Sequence, residues 1–135
     1  MSRVMMTVLA AVLCTQTAAA ADLAETKTAS GLIYKSTREG TGLSPKGSSI
    51  VKVHYRGTLT NGQEFDSSYS RGQPATFALN RVIPCWTEGL QMMKVGGKAV
   101  LTCPPAIAYG DHGAGGVIPP GATLNFEVEL LSIVQ

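Results

Sequence analysis

The stretch YGDHGAGGVIPPGATLNF, residues 109–126, sets five glycines and two adjacent prolines in one loop and then enters an alternating run. Its reading decides the fold. A phosphate cradle places its glycines between a strand and the start of a helix, usually with a lysine beside a Ser or Thr. Here the glycines lead into Val117-Ile118-Pro119-Pro120 and then a strand, and no lysine is near. The alternative is a stiff, turning frame beside an apolar surface. Tyr109 and the apolar pair Val117-Ile118 argue against a purely solvated loop, which has little reason to carry them.

The strand that follows, TLNFEVELLSIV (residues 123–134), has the clearest alternation in the chain. Leu124, Phe126, Val128 and Leu130 point one way, and Asn125, Glu127 and Glu129 the other. SSIVKVHYRGTLT (48–60) reads likewise, Val53 and Tyr55 alternating with Lys52, His54 and Arg56. Period two with β-branched and aromatic residues predicts strands with one buried face. Asn61-Gly62 predicts a two-residue type I′ turn, because that turn needs positive φ at both central positions, and QEFDSS (63–68) returns from it. GLIYKST (31–37) is a candidate edge strand, and ATFAL (75–79) and KAVLTC (98–103) are further short strands. VIPCWTEGLQMM (82–93) suits a short helix: Pro84 falls in the first turn, where its missing N–H costs nothing. Trp86, Leu90 and Met93 share one of its faces, and VGGK ends it. The sum is an α+β domain, an antiparallel sheet of about five strands curled around one short helix.

The N-terminus reads as a separate object. Residues 1–22, MSRVMMTVLAAVLCTQTAAAAD, give a basic start, an apolar run of about ten residues and an A-x-A site, the pattern of an export signal. Cleavage is expected near Ala20 or Ala21, giving a signal peptide over 1–21, a leader with the edge strand over 22–43, and the main domain over 44–135. The run is shorter than the ~20 apolar residues of a membrane span, so no span is expected after cleavage; Cys14 leaves lipidation as an alternative. Residues 22–30 read as a flexible leader. Hydrophobic residues make up 44 % of the 135, charged ones 15 %, and the net charge is +2 without a basic run. Nucleic acid is therefore excluded as a partner. His54 and His112 stand apart from each other, and Cys85 and Cys103 have neither a C-x-x-C nor a zinc spacing. No metal site or cofactor is expected.

Three segments together carry a family resemblance: VHYRGTLTNGQEFDSS (53–68), VIPCWTEGLQMMKVGGKA (82–99) and AYGDHGAGGVIPPGATLNFEVELL (108–131). In order and spacing they resemble the FKBP-type, macrolide-binding peptidyl-prolyl cis-trans isomerases. The match covers nearly all of residues 44–135 and is most similar to short exported bacterial forms related to the macrophage infectivity potentiators, without their long helical dimerisation segment. The resemblance implies a monomeric periplasmic isomerase of X–Pro bonds that acts on unfolded or partly folded polypeptides, with macrolides as inhibitors. A binding module that captures chains without turnover is the alternative.

The resemblance also implies roles. Asp66, Tyr109 and Ile83 would serve catalysis, Ile83 through its amide and Tyr109 through its hydroxyl. Tyr55, Phe65, Phe77, Val82, Trp86 and Phe126 would form the pocket, with Trp86 as its floor. Arg71 would help Tyr55 hold Asp66, and Ile118, on the glycine loop, would cover the mouth. The chain departs from the family pattern at Ala75, Cys85, Ile107 and Ala114-Gly115, which bears on substrate preference and macrolide affinity. In such a fold the helix packs on the concave face of the sheet, so Cys85 and Cys103 would approach within the ~4.4–6.8 Å Cα separation of a disulfide. Two buried free thiols are the alternative.

Overall fold

The computed structural model describes residues 25–135. The expected export signal, Cys14 and both expected cleavage positions lie outside the described residues. Strand β1 (Glu25–Lys27), β2 (Ile33–Arg38), β3 (Ile50–Leu59), β4 (Glu64–Ser67), helix α1 (Ser68–Arg71), β5 (Ala75–Ala78), α2 (Pro84–Gln91), β6 (Lys98–Cys103) and β7 (Leu124–Ile133) follow in chain order. Two 3-10 turns, Leu79–Arg81 and Pro105–Ile107, precede α2 and follow β6. Among the described residues no helix is long and apolar enough to cross a membrane.

All seven strands form one antiparallel sheet in the order β1-β2-β6-β7-β3-β4, with β5 also on β3. β3 organises it. One edge of β3 pairs with β7 from Val51↔Ile133 to Leu59↔Leu124. The other edge is shared, β5 taking Ile50 to Val53 and β4 taking Arg56 to Thr58. Helix α1 is the detour between those two short strands.

The period-two pattern does what the sequence suggests. Val51, Val53 and Tyr55 of β3, Ala99, Leu101 and Cys103 of β6, and Leu124, Phe126, Val128 and Leu130 of β7 are all buried on one face. Trp86 and Leu90 of α2, with Met93 just beyond it, close that face. On the other face Arg56 stands opposite Glu127 and His54 opposite Glu129. Burial of this apolar set, at about 25 cal/mol per Å², is the main force that curls the sheet over the helix.

Four local features differ from expectation. Glu25–Lys27, expected in a flexible leader, pairs with β2 from Glu25↔Lys35 to Lys27↔Ile33, so β2 is an inner strand rather than an edge. All three β1 residues are exposed, so backbone pairing alone makes this strand and no hydrophobic pattern announces it. The sheet accordingly has seven strands, not about five. A second helix, α1, is too short for periodicity; it is set by the Ser67 side chain accepting from Ser70 N–H and by Gly72 at φ 75°. Finally, the hairpin turn is not the two-residue form. Gly62 N–H donates to Leu59 C=O, which makes Thr60 and Asn61 the central residues. Gly62 follows at φ 91°, the three-residue loop in which a type I turn ends in a left-handed glycine.

Cys85, in the first turn of α2, and Cys103, the last residue of β6, form a disulfide with a Cα–Cα distance of 5.7 Å. Both are fully buried. The bridge ties the start of α2 to the sheet and closes a separation of 18 residues. On the loop-entropy account such a link stabilises by about 3 kcal/mol. Replacing both cysteines by alanine is expected to lower unfolding free energy by about that amount or more, read by denaturant titration. Alkylation of the unfolded, unreduced protein should block no thiol at Cys85 or Cys103; two blocked thiols would contradict the bridge.

Candidate active site

A cavity of about 430 Å³ opens between α2, the sheet and the loop after β6. Trp86 is its centre. The indole meets Tyr55 of β3, Phe77 of β5 and Phe126 of β7 edge-to-face, with centroids at 5.2, 5.3 and 5.3 Å and interplanar angles of 84°, 82° and 88°. Phe65 of β4 extends the wall by an edge contact with Phe126 at 5.6 Å. Such pairs contribute about 0.5–1.5 kcal/mol each beyond the area they bury. Trp86 Nε1 is buried without a protein hydrogen-bond partner, so packing alone orients the ring.

Gly57 makes this wall possible, and sequence reading passed over it. A Cβ there would lie 2.5 Å from Phe65 Cζ and 2.9 Å from Phe126 Cε1. β3 needs a residue without a side chain where two rings cross it.

The polar edge of the cavity is a closed network. Tyr55 Oη donates to Asp66 Oδ2 at 2.5 Å. Arg71 Nη1 donates to Asp66 Oδ1 at 2.6 Å, and its Nη2 to Tyr55 Oη at 3.0 Å. Ser67 N–H adds a fourth bond, to Asp66 Oδ1 at 2.9 Å. Arg71 reaches this position because α1, capped by Ser67 and stopped by Gly72, turns the chain after β4. Partial burial pushes the Asp66 carboxyl up, but the hydrogen bonds from Tyr55 and Arg71, the Arg71 charge and the Ser67 amide outweigh it and hold the carboxyl below its usual range. The Tyr55 phenol moves the other way, raised first by burial and then by its bond to Asp66.

Val82 and Ile83 line the opposite wall. Ile83 is the N-cap of α2, where its carbonyl accepts from Trp86 N–H at 2.9 Å and Thr87 N–H at 3.2 Å. Tyr109 also lines the cavity and is 40 % exposed, so its hydroxyl is open to a ligand. The glycine loop behind it is a small hairpin. Gly121 N–H donates to Gly110 C=O at its base, and Ala114 and Ile118 exchange both backbone bonds near its tip.

The structure thus brings Tyr55, Phe65, Asp66, Phe77, Val82, Ile83, Trp86, Tyr109 and Phe126 around one cavity. Two expected site residues stand elsewhere. Arg71 lies behind the lining and acts on it through Asp66 and Tyr55. Ile118, expected over the mouth, is not on the cavity lining; it is 6 % exposed and packs in the core cluster, and the exposed apolar residue of the loop is Val117. One lining residue was missed, Arg81 at the end of the 3-10 turn, where no motif marks it.

A sheet curled over one helix around an aromatic cavity defines a small class of proteins, and comparison with known proteins gives the same class. Residues 42–131 match the family of FKBP-type peptidyl-prolyl cis-trans isomerases. The chain belongs to that family. It is 59 % identical over 106 residues to the FKBP-type peptidyl-prolyl cis-trans isomerase FkpA of Aeromonas hydrophila, covering 78 % of this chain and 39 % of that protein. It is 54 % identical over 103 residues to FkpA of Escherichia coli strain K12, covering 76 % and 38 %. The crystal structure of FkpA from Escherichia coli superposes with a TM-score of 0.78 at 50 % identity, over 81 % of this chain and 51 % of that one. A peptidyl-prolyl cis-trans isomerase from Pseudomonas syringae pv. tomato gives 0.77 at 38 % identity, over 89 % and 90 %. The chain therefore spans about two fifths of the length of these two curated relatives.

The depressed Asp66 carboxyl gives a pH test. A carboxyl held lower in the folded state adds stability above its unfolded value, ~3.9, and loses it as pH falls through the folded value. The stability difference between the wild type and Asp66→Asn should be constant near neutrality and shrink as pH drops below about 4. Denaturant titrations between neutral pH and pH 3 check this; a difference that does not change with pH would contradict it.

Proposed function

We propose that this protein is a peptidyl-prolyl cis-trans isomerase of exported, unfolded or partly folded polypeptides. The observation that carries the reading is the edge-to-face setting of Trp86 among Tyr55, Phe77 and Phe126 at the base of a cavity large enough for a proline ring. Rotation about X–Pro is slow because the amide keeps partial double-bond character, with a barrier near ~20 kcal/mol. The twisted amide has lost that resonance and carries less charge separation than the planar one. A dry aromatic cavity therefore stabilises the twisted form relative to water. Each ~1.4 kcal/mol of such preference is tenfold in rate.

Polar groups at the rim then orient the chain. The Ile83 N–H donates to one substrate carbonyl, the Tyr109 hydroxyl donates to a second, and Asp66, fixed by Tyr55 and Arg71, presents a charge at the cavity edge. No nucleophile or proton transfer enters the scheme. Macrolides that mimic a proline-flanked segment are expected to compete for the same cavity. The buried Cys85–Cys103 bridge supports export to an oxidising compartment such as the periplasm, in line with the export signal read over residues 1–21.

The test is a refolding reaction limited by a native X–Pro bond. Catalytic amounts of the protein should accelerate it equally with and without EDTA, and Asp66→Ala and Tyr109→Phe should lower the acceleration severalfold while keeping the fold. A wild-type protein that binds the refolding chain without accelerating it would support a capture module instead.

A further inference from the structure

Arg81 has no role in the scheme above. It closes the 3-10 turn Leu79–Arg81, lines the aromatic cavity and is exposed. The other charged side chain on the lining, Asp66, is already committed to Arg71 and Tyr55. No carboxylate lies within ion-pair distance of Arg81 among the described residues. The cavity therefore offers one unspent charge, and it is a cation with a planar fork of donors suited to a carboxylate.

Its position adds direction. A second, open groove of about 690 Å³ adjoins the cavity, with Thr87, Gln91 and Ile107 among its walls. Asn80 lines the groove, Arg81 the cavity and Val82 both. A polypeptide too long for the cavity that continues into the groove crosses this ridge beside Arg81. The carboxylate in the groove, Glu88, is engaged by Ser30 Oγ at 2.5 Å.

We propose that Arg81 is a specificity-determining residue that selects X–Pro segments flanked by an acidic side chain. The proline ring occupies the aromatic cavity, and the carboxylate of the residue next to the X–Pro pair meets the guanidinium at the ridge. The inference rests on the isomerase reading of the cavity. Arg81 touches the flank rather than the rotating bond, so the preference is read in kcat/KM.

Four peptides test it: Leu-Pro preceded by Glu, Leu-Pro followed by Glu, and the same two with Gln in place of Glu. Isomerisation is followed at low ionic strength for the wild type, Arg81→Gln and Arg81→Glu. The Glu-to-Gln ratio of kcat/KM is taken within each protein, so any general loss of activity cancels. For one of the two placements the wild-type ratio should exceed unity by about 1.5- to fivefold, the size of an exposed ion pair. It should fall toward unity in salt and in Arg81→Gln, and drop below unity in Arg81→Glu. Ratios equal in all three proteins, with the Gln peptides still isomerised, overturn the inference alone. A wild-type protein that isomerises none of the four peptides overturns the isomerase reading and this inference with it.

Discussion

The structure depends on one constraint: the indole of Trp86 must sit edge-to-face among three rings carried by three strands. Tyr55, Phe77 and Phe126 come from β3, β5 and β7, and all three lie within 5.3 Å of Trp86 between centroids. For those rings to converge, the sheet must curl and α2 must enter its concave face at a fixed height. The Cys85–Cys103 bridge fixes that height from the residue beside Trp86, and Gly57 removes the side chain that would push Phe65 and Phe126 apart. Trp86 belongs both to the buried core and to the cavity lining. Core and site are thus one object, and a change that loosens the core also reshapes the cavity.

An apolar cavity needs its polar rim tied down, because a half-satisfied buried polar group costs about 1–3 kcal/mol. Here Asp66 accepts three hydrogen bonds, from Tyr55, Arg71 and Ser67, so the charge is held rather than free to collapse inward. The glycine loop is controlled by the same economy of local bonds. Its two backbone closures, at Gly110–Gly121 and Ala114–Ile118, anchor a segment with almost no side-chain mass of its own. This leaves Tyr109 exposed at the cavity and Val117 exposed on the loop.

How much of this was legible in the sequence varies with the length scale of the cause. β3 and β7 were legible because each buries every second residue, and a period of two survives in the sequence. α2 was legible from Pro84 and from the spacing of Trp86, Leu90 and Met93. β1 was not, since Glu25–Lys27 buries no side chain and only backbone pairing makes it a strand. The hairpin turn was misassigned because Asn-Gly suits two loop types, and the choice lies in the register of Leu59 with Gly62. The aromatic set and Asp66 came from the family resemblance, since residue type alone does not separate a cavity ring from a core ring. Ile118 is buried in the core cluster rather than set on the cavity lining, which its place on a glycine loop does not announce. Gly57 and Arg81 have roles that exist only once distant strands and a 3-10 turn are in place.

The central claim is that the Trp86-centred cavity lowers the barrier to prolyl rotation. Its most direct measurement is exchange NMR on a short Leu-Pro peptide, reading cis–trans interconversion at equilibrium with catalytic amounts of protein. The account predicts exchange far faster than the uncatalysed tens of seconds with the wild type. It predicts a large loss with Trp86→Leu, at unchanged folded fraction by circular dichroism. Equal exchange with the wild type and a folded Trp86→Leu variant would contradict it, because the rate would then owe nothing to the aromatic cavity.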